Sequence, residues 1–181
     1  MPTYTKMYHE FDTSINLDTH MFCNYVDENH YANPANMHEH TTHLTMILRS
    51  PYDVLNSIYN MNKNRNPNFT GTQQEYTSLN SDVVKMYADF EKIFEYWDNC
   101  KLPVLYLFYD DLVKDPKQFM YTICEYIGVK PFYDAKRGVT FQTDKKDPLV
   151  FDNTSTIKYI NENISVIEDK LNRDLSHWKK Q

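Results

Sequence analysis

Two short, mainly apolar runs stand out along the chain, at residues 44–48 and 104–108. Neither run shows the apolar–polar alternation of a half-exposed strand, and such runs are typical of strands buried on both faces of a parallel sheet. An amphipathic helical pattern lies between them, and the order strand, helix, strand predicts a right-handed crossover. The pattern therefore indicates an α/β fold with a parallel sheet flanked by helices.

A helix is predicted directly after the first run. Ser50 is a suitable N-cap, Pro51 suits the first helical position, and Asp53 lies where an acidic capping residue is favoured. Residues 62–77 are polar and contain Pro67 and Gly71, which predicts a loop. The apolar face expected for this helix consists of Val54, Leu55, Ile58 and Met61.

Three more helices are predicted from apolar positions spaced three and four residues apart. One covers residues 79–97, and a second begins after Asp115 and ends at Gly128. The last extends over residues 155–173, after a polar connection at 129–153. Its buried stripe is expected to be Ile157, Ile160, Ile164, Ile167 and Leu171.

Length and composition indicate one folded domain. The 181 residues include 41% hydrophobic and 15% aromatic side chains, enough for a substantial core. We expect a single domain over residues 1–181, with an irregular part at 1–43 and a core at 44–178. A formal net charge of −6 argues against a generally basic nucleic-acid-binding protein, although it permits a local basic pocket.

The cysteines and the hydropathy pattern indicate the cellular compartment of the protein. Cys23, Cys100 and Cys124 are odd in number and widely spaced, which fits neither a disulfide framework nor a CxxC metal site. The sequence contains no 18-residue apolar run and no signal-peptide pattern. We therefore expect a cytoplasmic protein that does not associate with membranes, and we make no prediction of its oligomeric state.

Glycine is scarce, and its positions exclude several phosphate-binding loops. The chain has only Gly71, Gly128 and Gly138. No GxGxxG or GxxxxGK[ST] motif can therefore occur before residue 71, and the later glycines do not form one either.

The strongest candidate for binding chemistry is Arg49 together with Ser57. Arg49 follows the first strand, and open α/β sheets bind ligands beyond the carboxyl ends of their strands. A helix N-terminus beside it adds backbone N–H donors and a positive dipole end. An arginine fork and a serine hydroxyl suit a phosphate monoester. The alternative is that Arg49 is a surface cation and Ser57 a solvated helical residue.

Three segments resemble those of sulfotransferases that use 3′-phosphoadenosine 5′-phosphosulfate (PAPS). Residues 48–57, LRSPYDVLNS, are similar to the family's LR[ND]PxDxxxS segment. Residues 104–116 resemble its VLxLxYEDLxxDP block, and residues 171–178 its LLGRDLSxW ending. The resemblance covers residues 44–178 and implies the sulfotransferase fold, which is similar to that of P-loop NTPases.

This resemblance implies a cofactor site and a reaction. Arg49 and Ser57 would hold the 3′-phosphate of PAPS or of its product PAP, and Tyr109 would lie near the adenine. Arg137 and Gly138 fall where the family has a basic, glycine-containing loop that returns to this phosphate. A sulfuryl group would pass to a hydroxyl or amine of a small molecule or carbohydrate, without a metal.

The sequence departs from the family pattern in two places. Sulfotransferases normally have a PKSGTT-type loop with a catalytic lysine, and this sequence has none. We therefore expect an N-terminally incomplete enzyme with impaired activity, or a non-catalytic nucleotide-binding or interaction module derived from the fold. The family also needs a general base before the 3′-phosphate arginine. His20 lies at about the right position, and Glu28 and His30 are close competitors.

A histidine-rich segment supports a different hypothesis. If residues 38–43 were extended, His38 and His40 would share a face and could bind zinc or a similar metal. The spacing is not HExxH, because position 42 is threonine. A polar loop leading into the strand at Leu44 is the favoured interpretation.

Overall fold

A computed structural model describes residues 43–66, 68–99, 101–128 and 148–181. Its sheet consists of two parallel strands, β1 (Leu44–Leu48) and β2 (Val104–Phe108). Leu44 pairs with Val104 and Leu48 with Phe108, so the strands begin and end level with each other. The predicted strand positions, their parallel direction and the α/β class are confirmed.

Helices fill the crossover between the strands and follow β2. Among the residues that the structure describes, four helices lie in the crossover and three after β2, before a short 3₁₀ turn at Ser176–Trp178. No helix in the described ranges is both long enough and apolar enough to cross a membrane. The helices are α1 (Pro51–Arg65), α2 (Gln73–Thr77), α3 (Asp82–Ala88), α4 (Phe90–Asn99), α5 (Tyr109–Lys114), α6 (Pro116–Tyr126) and α7 (Thr154–Leu171).

The crossover is more finely divided than the sequence predicts. The single helix expected over residues 79–97 is two helices, because Asp89 interrupts it. The Asp89 carboxylate accepts a hydrogen bond from the Lys92 N–H at 3.2 Å and so caps the start of α4. The loop expected at residues 62–77 is wrong in part, since α1 continues to Arg65 and α2 lies within it.

Burial of β1 differs between its two faces. Leu48 is buried in the core, and Leu44 and Met46 pack against that core from the same face. Ile47 on the opposite face is 45% exposed. The prediction that β1 is buried on both faces is therefore wrong for this outer face, which the described residues cover only in part.

Helix α7 contributes a stripe of buried isoleucines to the core. Ile160, Ile164 and Ile167 are fully buried, which confirms the middle of the predicted stripe. In α1, Leu55 is fully buried, whereas Met61, expected on the same apolar face, is 42% exposed. The predicted apolar face of α1 is therefore wrong at Met61.

Buried polar side chains of α7 tie it to the crossover. Asn163 Oδ1 accepts a hydrogen bond from the Phe90 N–H at 2.8 Å, and its Nδ2 donates to the Tyr159 carbonyl at 3.1 Å. The Thr156 hydroxyl accepts from the Leu79 N–H at 2.9 Å. These bonds satisfy backbone donors that would otherwise be unpaired inside the protein.

The ends of α6 and α7 follow local rules. Asp115 Oδ1 accepts from the Gln118 N–H at 2.9 Å, which confirms Asp115 as the N-cap of α6. Gly128 has φ +71° just after α6, as expected for its C-terminal stop. Asn172 ends α7 in the left-handed region at φ 49°, and Arg173, the next residue, stacks on Phe108 at the end of β2.

Candidate functional site

The carboxyl ends of the two strands bring Arg49 and Tyr109 together. Because Leu48 and Phe108 are register partners, the residues that follow them leave the sheet side by side. The Arg49 guanidinium carbon lies 4.5 Å from the centroid of the Tyr109 ring. This cation–π contact joins two of the residues that the sequence assigned to one site.

The Arg49 guanidinium has unused hydrogen-bonding capacity. Its Nε atom is buried and has no hydrogen-bond acceptor among the described residues. Among the described residues, the Asp53 carboxylate forms an ion pair with this side chain, with Nε 3.9 Å from Oδ2, a distance too long for a hydrogen bond. The side chain as a whole is 26% exposed, so it is partly accessible to solvent.

The N-terminus of α1 lies beside this arginine. The Ser50 carbonyl accepts hydrogen bonds from the N–H groups of Asp53 at 2.9 Å and Val54 at 3.0 Å. The Ser50 side chain makes no capping bond, in contrast to the predicted capping arrangement, and Asp53 is directed toward Arg49 instead. The helix has 15 residues, so its positive dipole end adds to the positive charge of Arg49.

Ser57 lies half-buried on α1. It is seven residues after Ser50, or about two helical turns, so both residues are on the same side of the helix at an axial separation of about 10 Å. The structure thus places Ser57 on the Ser50 side of α1. Its cooperation with Arg49 on one ligand stays a prediction.

The other predicted site residues lie outside the described residues. This applies to His20, its competitors Glu28 and His30, and the Arg137–Gly138 pair. The assignments made from the sequence for these positions stay predictions.

The alternative hypothesis of a metal site also depends on residues that the structure does not describe. His38 and His40 lie outside the described residues. Within the described ranges, no group of three or more histidine, cysteine or acidic side chains is arranged to hold a metal ion.

A set of contacts near Tyr109 was not predicted from the sequence. Arg173 donates a forked pair of hydrogen bonds to Asp111, with Nη1–Oδ2 at 2.6 Å and Nη2–Oδ1 at 2.8 Å. Its guanidinium carbon also lies 3.8 Å from the centroid of the Phe108 ring. The hydrogen bonds from Arg173 lower the pKa of Asp111, and the same bonds raise the pKa of Arg173.

The neighbouring carboxylate is bound by the same C-terminal segment. Asp110 Oδ2 accepts from Trp178 Nε1 at 2.7 Å and lies 2.9 Å from His177 Nε2. We call these contacts the C-terminal clasp: Arg173, His177 and Trp178 bound to Phe108, Asp110 and Asp111. The sequence contains both halves in segments that resemble the family, but Arg173 and Asp111 are 62 positions apart, and local patterns do not report such contacts.

The comparison with protein families agrees with this arrangement of strands and helices. The family model described as "Sulfotransferase domain" matches residues 10–180. No curated protein and no solved structure matches the chain.

Proposed function

The chain belongs to the sulfotransferase family, and from this premise we propose that it binds PAPS at the carboxyl ends of β1 and β2. Family membership supports a sulfotransferase activity in general. The identity of the sulfuryl donor is our proposal. The observation that supports it best is Arg49, with a buried Nε that has no acceptor, at the N-terminus of a 15-residue helix.

The proposed binding mode uses the chemistry of each side chain. Arg49 would bind the 3′-phosphate through charge-assisted hydrogen bonds, helped by the dipole of α1. Ser57 would donate its hydroxyl to the same phosphate, and Arg137 with Gly138 would approach it from a second segment. The Tyr109 ring would offer a flat apolar surface to the adenine while it holds the guanidinium in place.

The proposed reaction is an in-line displacement at sulfur. A bond forms between the sulfur and an oxygen or nitrogen of the acceptor, and the bond between sulfur and the bridging oxygen of the phosphosulfate breaks. That oxygen leaves as part of PAP, and the acceptor proton passes to a base, for which we propose His20. The acceptor would be a hydroxyl or amine on a small molecule or carbohydrate.

A second function has support from one sequence observation. Residues 1–181 contain no PKSGTT-type loop, which family members use at the 5′-phosphosulfate. Without such donors, the negative charge that develops on the bridging oxygen loses its main stabilisation. The chain would then be a nucleotide-binding module that recognises the 3′-phosphate and does not catalyse transfer.

Calorimetric titration of the full chain with PAP tests the site. We expect the wild type to bind and Arg49→Ala to bind about 10- to 100-fold more weakly, as a charge-assisted hydrogen bond to phosphate predicts. Lys158→Ala is the control, because it also removes one positive charge but from an exposed position on α7. No binding by the wild type, or equal binding by Arg49→Ala, would contradict the proposed site.

A turnover assay then separates the two functions. The assay follows PAP release from PAPS in the presence of a panel of hydroxyl and amine acceptors. Turnover that is lost in His20→Ala supports the enzyme and its proposed base. Binding of PAP without turnover for any acceptor favours the nucleotide-binding module.

A further inference from the structure

Two consecutive aromatic residues, the last of β2 and the first of α5, each carry a ring on which an arginine stacks. Arg173 stacks on Phe108 at 3.8 Å, and Arg49 stacks on Tyr109 at 4.5 Å. Phe108 has extended dihedrals, φ −113° and ψ 133°, so successive side chains leave the chain on opposite sides. The C-terminal clasp therefore contacts this point of the chain from the side opposite to Arg49.

The clasp holds the residues on both sides of Tyr109. Before it in the sequence, Phe108 lies under Arg173 and in ring contact with Trp178, with centroids 6.0 Å apart. After it, Asp110 is bound by Trp178 and Asp111 by the Arg173 fork. The backbone of Tyr109 is thus fixed at both neighbours, which restricts where its ring can meet Arg49.

We propose that the C-terminal clasp is a positioning element that holds the Tyr109 ring against Arg49 for nucleotide binding, with Arg173 as its central residue. The proposal rests on the function proposed above. Arg173 acts through Tyr109 and does not itself touch the nucleotide. The clasp thus makes the last residues of the chain part of the support of the site.

A double-mutant cycle between Arg173 and Tyr109 tests this action. We expect Arg173→Ala to weaken PAP binding about 2- to 5-fold in the wild-type background, no more than loss of the Tyr109 ring itself. In a Tyr109→Leu background, we expect the same substitution to have little effect on the PAP dissociation constant, because the ring through which it acts is gone. Equal factors in both backgrounds, or no effect in the wild type, would overturn the proposal.

Lys170→Ala is the matched control. Lys170 donates to Asp98 at 2.7 Å and stacks on Phe94 at 4.9 Å, so it makes the same two kinds of contact at the same end of α7. Its partners lie on α4, away from Tyr109. We expect Lys170→Ala to lower the melting temperature without changing PAP affinity. Loss of affinity equal to that of Arg173→Ala would show a general structural effect and contradict positioning.

Hydrogen exchange followed by mass spectrometry keeps this test separate from the nucleotide hypothesis. We expect Arg173→Ala to speed amide exchange over residues 104–112 and to leave α4 unchanged, and Lys170→Ala to do the reverse. If the wild type binds no PAP, the proposed function fails, and this exchange pattern alone decides whether the clasp fixes Tyr109.

If Arg173→Ala does not fold, Arg173→Lys, which keeps the positive charge and loses the forked pair of hydrogen bonds, replaces it in both experiments. Unchanged exchange over residues 104–112 would overturn the proposal.

Discussion

The side-chain oxygen of Asn163 lies 2.8 Å from the backbone nitrogen of Phe90 and accepts its N–H across 73 positions of sequence. Phe90 is the first residue of α4, and helix N-termini leave donors without intrahelical partners. Asn163 is buried, so this bond is protected from water. A side chain of α7 thus completes the start of a crossover helix.

Asn163→Ala should therefore destabilise the protein. The substitution leaves the buried Phe90 N–H without an acceptor, which costs about 1–3 kcal/mol of unfolding free energy. Urea denaturation measures this loss. The control Asn64→Ala, at an exposed position of α1, should change the unfolding free energy by less than about 0.5 kcal/mol. Equal stabilities of the two variants would show that the bond contributes nothing.

The cation–π contact between Arg49 and Tyr109 predicts a ranking of variants. Tyr109→Phe keeps a ring under the guanidinium, and PAP affinity should stay within about 2-fold of the wild type. Tyr109→Leu removes the ring and should weaken binding about 2- to 5-fold. Calorimetric titration gives both dissociation constants. The aromatic contact is irrelevant to binding if the phenylalanine and leucine variants bind equally.

Ser57 is predicted to contribute one hydrogen bond to the phosphate. Ser57→Ala should weaken PAP binding about 5-fold, the effect of one such bond. Its melting temperature should not fall, because alanine is the better helix former at a half-buried position of α1. Ser57→Thr keeps the hydroxyl and serves as the rescue variant. An unchanged dissociation constant for Ser57→Ala would remove Ser57 from the site.

Ionisation of Tyr52 should lower the free energy of unfolding at alkaline pH. Its hydroxyl donates to Asn161 Oδ1 at 3.0 Å, and burial raises its pKa to about 12. The unfolded tyrosine ionises near pH 10, so the stabilisation is complete below about pH 10 and is lost as the pH rises through the folded pKa. Tyr52→Phe should be less stable by about 1 kcal/mol at pH 7.

Urea denaturation at pH 7, 9 and 11 checks this prediction. The wild type should lose stability more steeply than Tyr52→Phe above about pH 10, so the difference between them narrows there. Burial also raises the pKa of Tyr87 to about 12. Because Tyr52→Phe retains Tyr87, this variant should still lose some stability as the pH rises above about 10. A difference that stays constant to pH 11 would contradict the role of Tyr52.

Asp111 and Glu168 should make stability fall in acid. Hydrogen bonds from Arg173 and from Lys179 lower the pKa of Asp111 and Glu168, respectively. Their stabilisation is present above the unfolded pKa values, near pH 4, and is lost as the pH falls through the lower folded values. Both side chains are partly exposed, and screening by solvent limits each contribution to less than about 1 kcal/mol.

Thermal melts between pH 6 and pH 3 measure this effect. Asp111→Asn and Glu168→Gln should each flatten the acid side of the stability profile relative to the wild type. An unchanged slope in the first two variants would show that neither ion pair contributes to acid sensitivity.

Much of the fold could be predicted because its signals are local. The apolar runs at 44–48 and 104–108, the Asp115 cap and the Gly128 stop each depend on a few adjacent residues, and the structure has them where predicted. The break at Asp89 was missed because a continuous apolar periodicity passes over it, and only its capping bond to the Lys92 N–H reveals it.

The site could be predicted only in part, for a different reason. The resemblance to sulfotransferases assigned Arg49 and Tyr109 to one nucleotide site, and the pairing of β1 with β2 does bring the two side chains together. The direction of Asp53 toward Arg49, and the bonds from Arg173 to Asp111, depend on which of several available partners a side chain meets in the folded chain. The positions of these residues in the sequence do not show which partner each side chain contacts.

The level pairing of β1 and β2 has a consequence for variation in chain length. Residues 49–103 connect the strands, and loop closure depends only weakly on loop length, so insertions in the segment 68–72 should leave the distance between Arg49 and Tyr109 unchanged. Deletion of one residue within the five-residue strand β1 would instead shift Arg49 to the opposite face of the sheet. The position of Arg49 beside Tyr109 is therefore expected to tolerate insertions in this connection but not a change in the length of either strand.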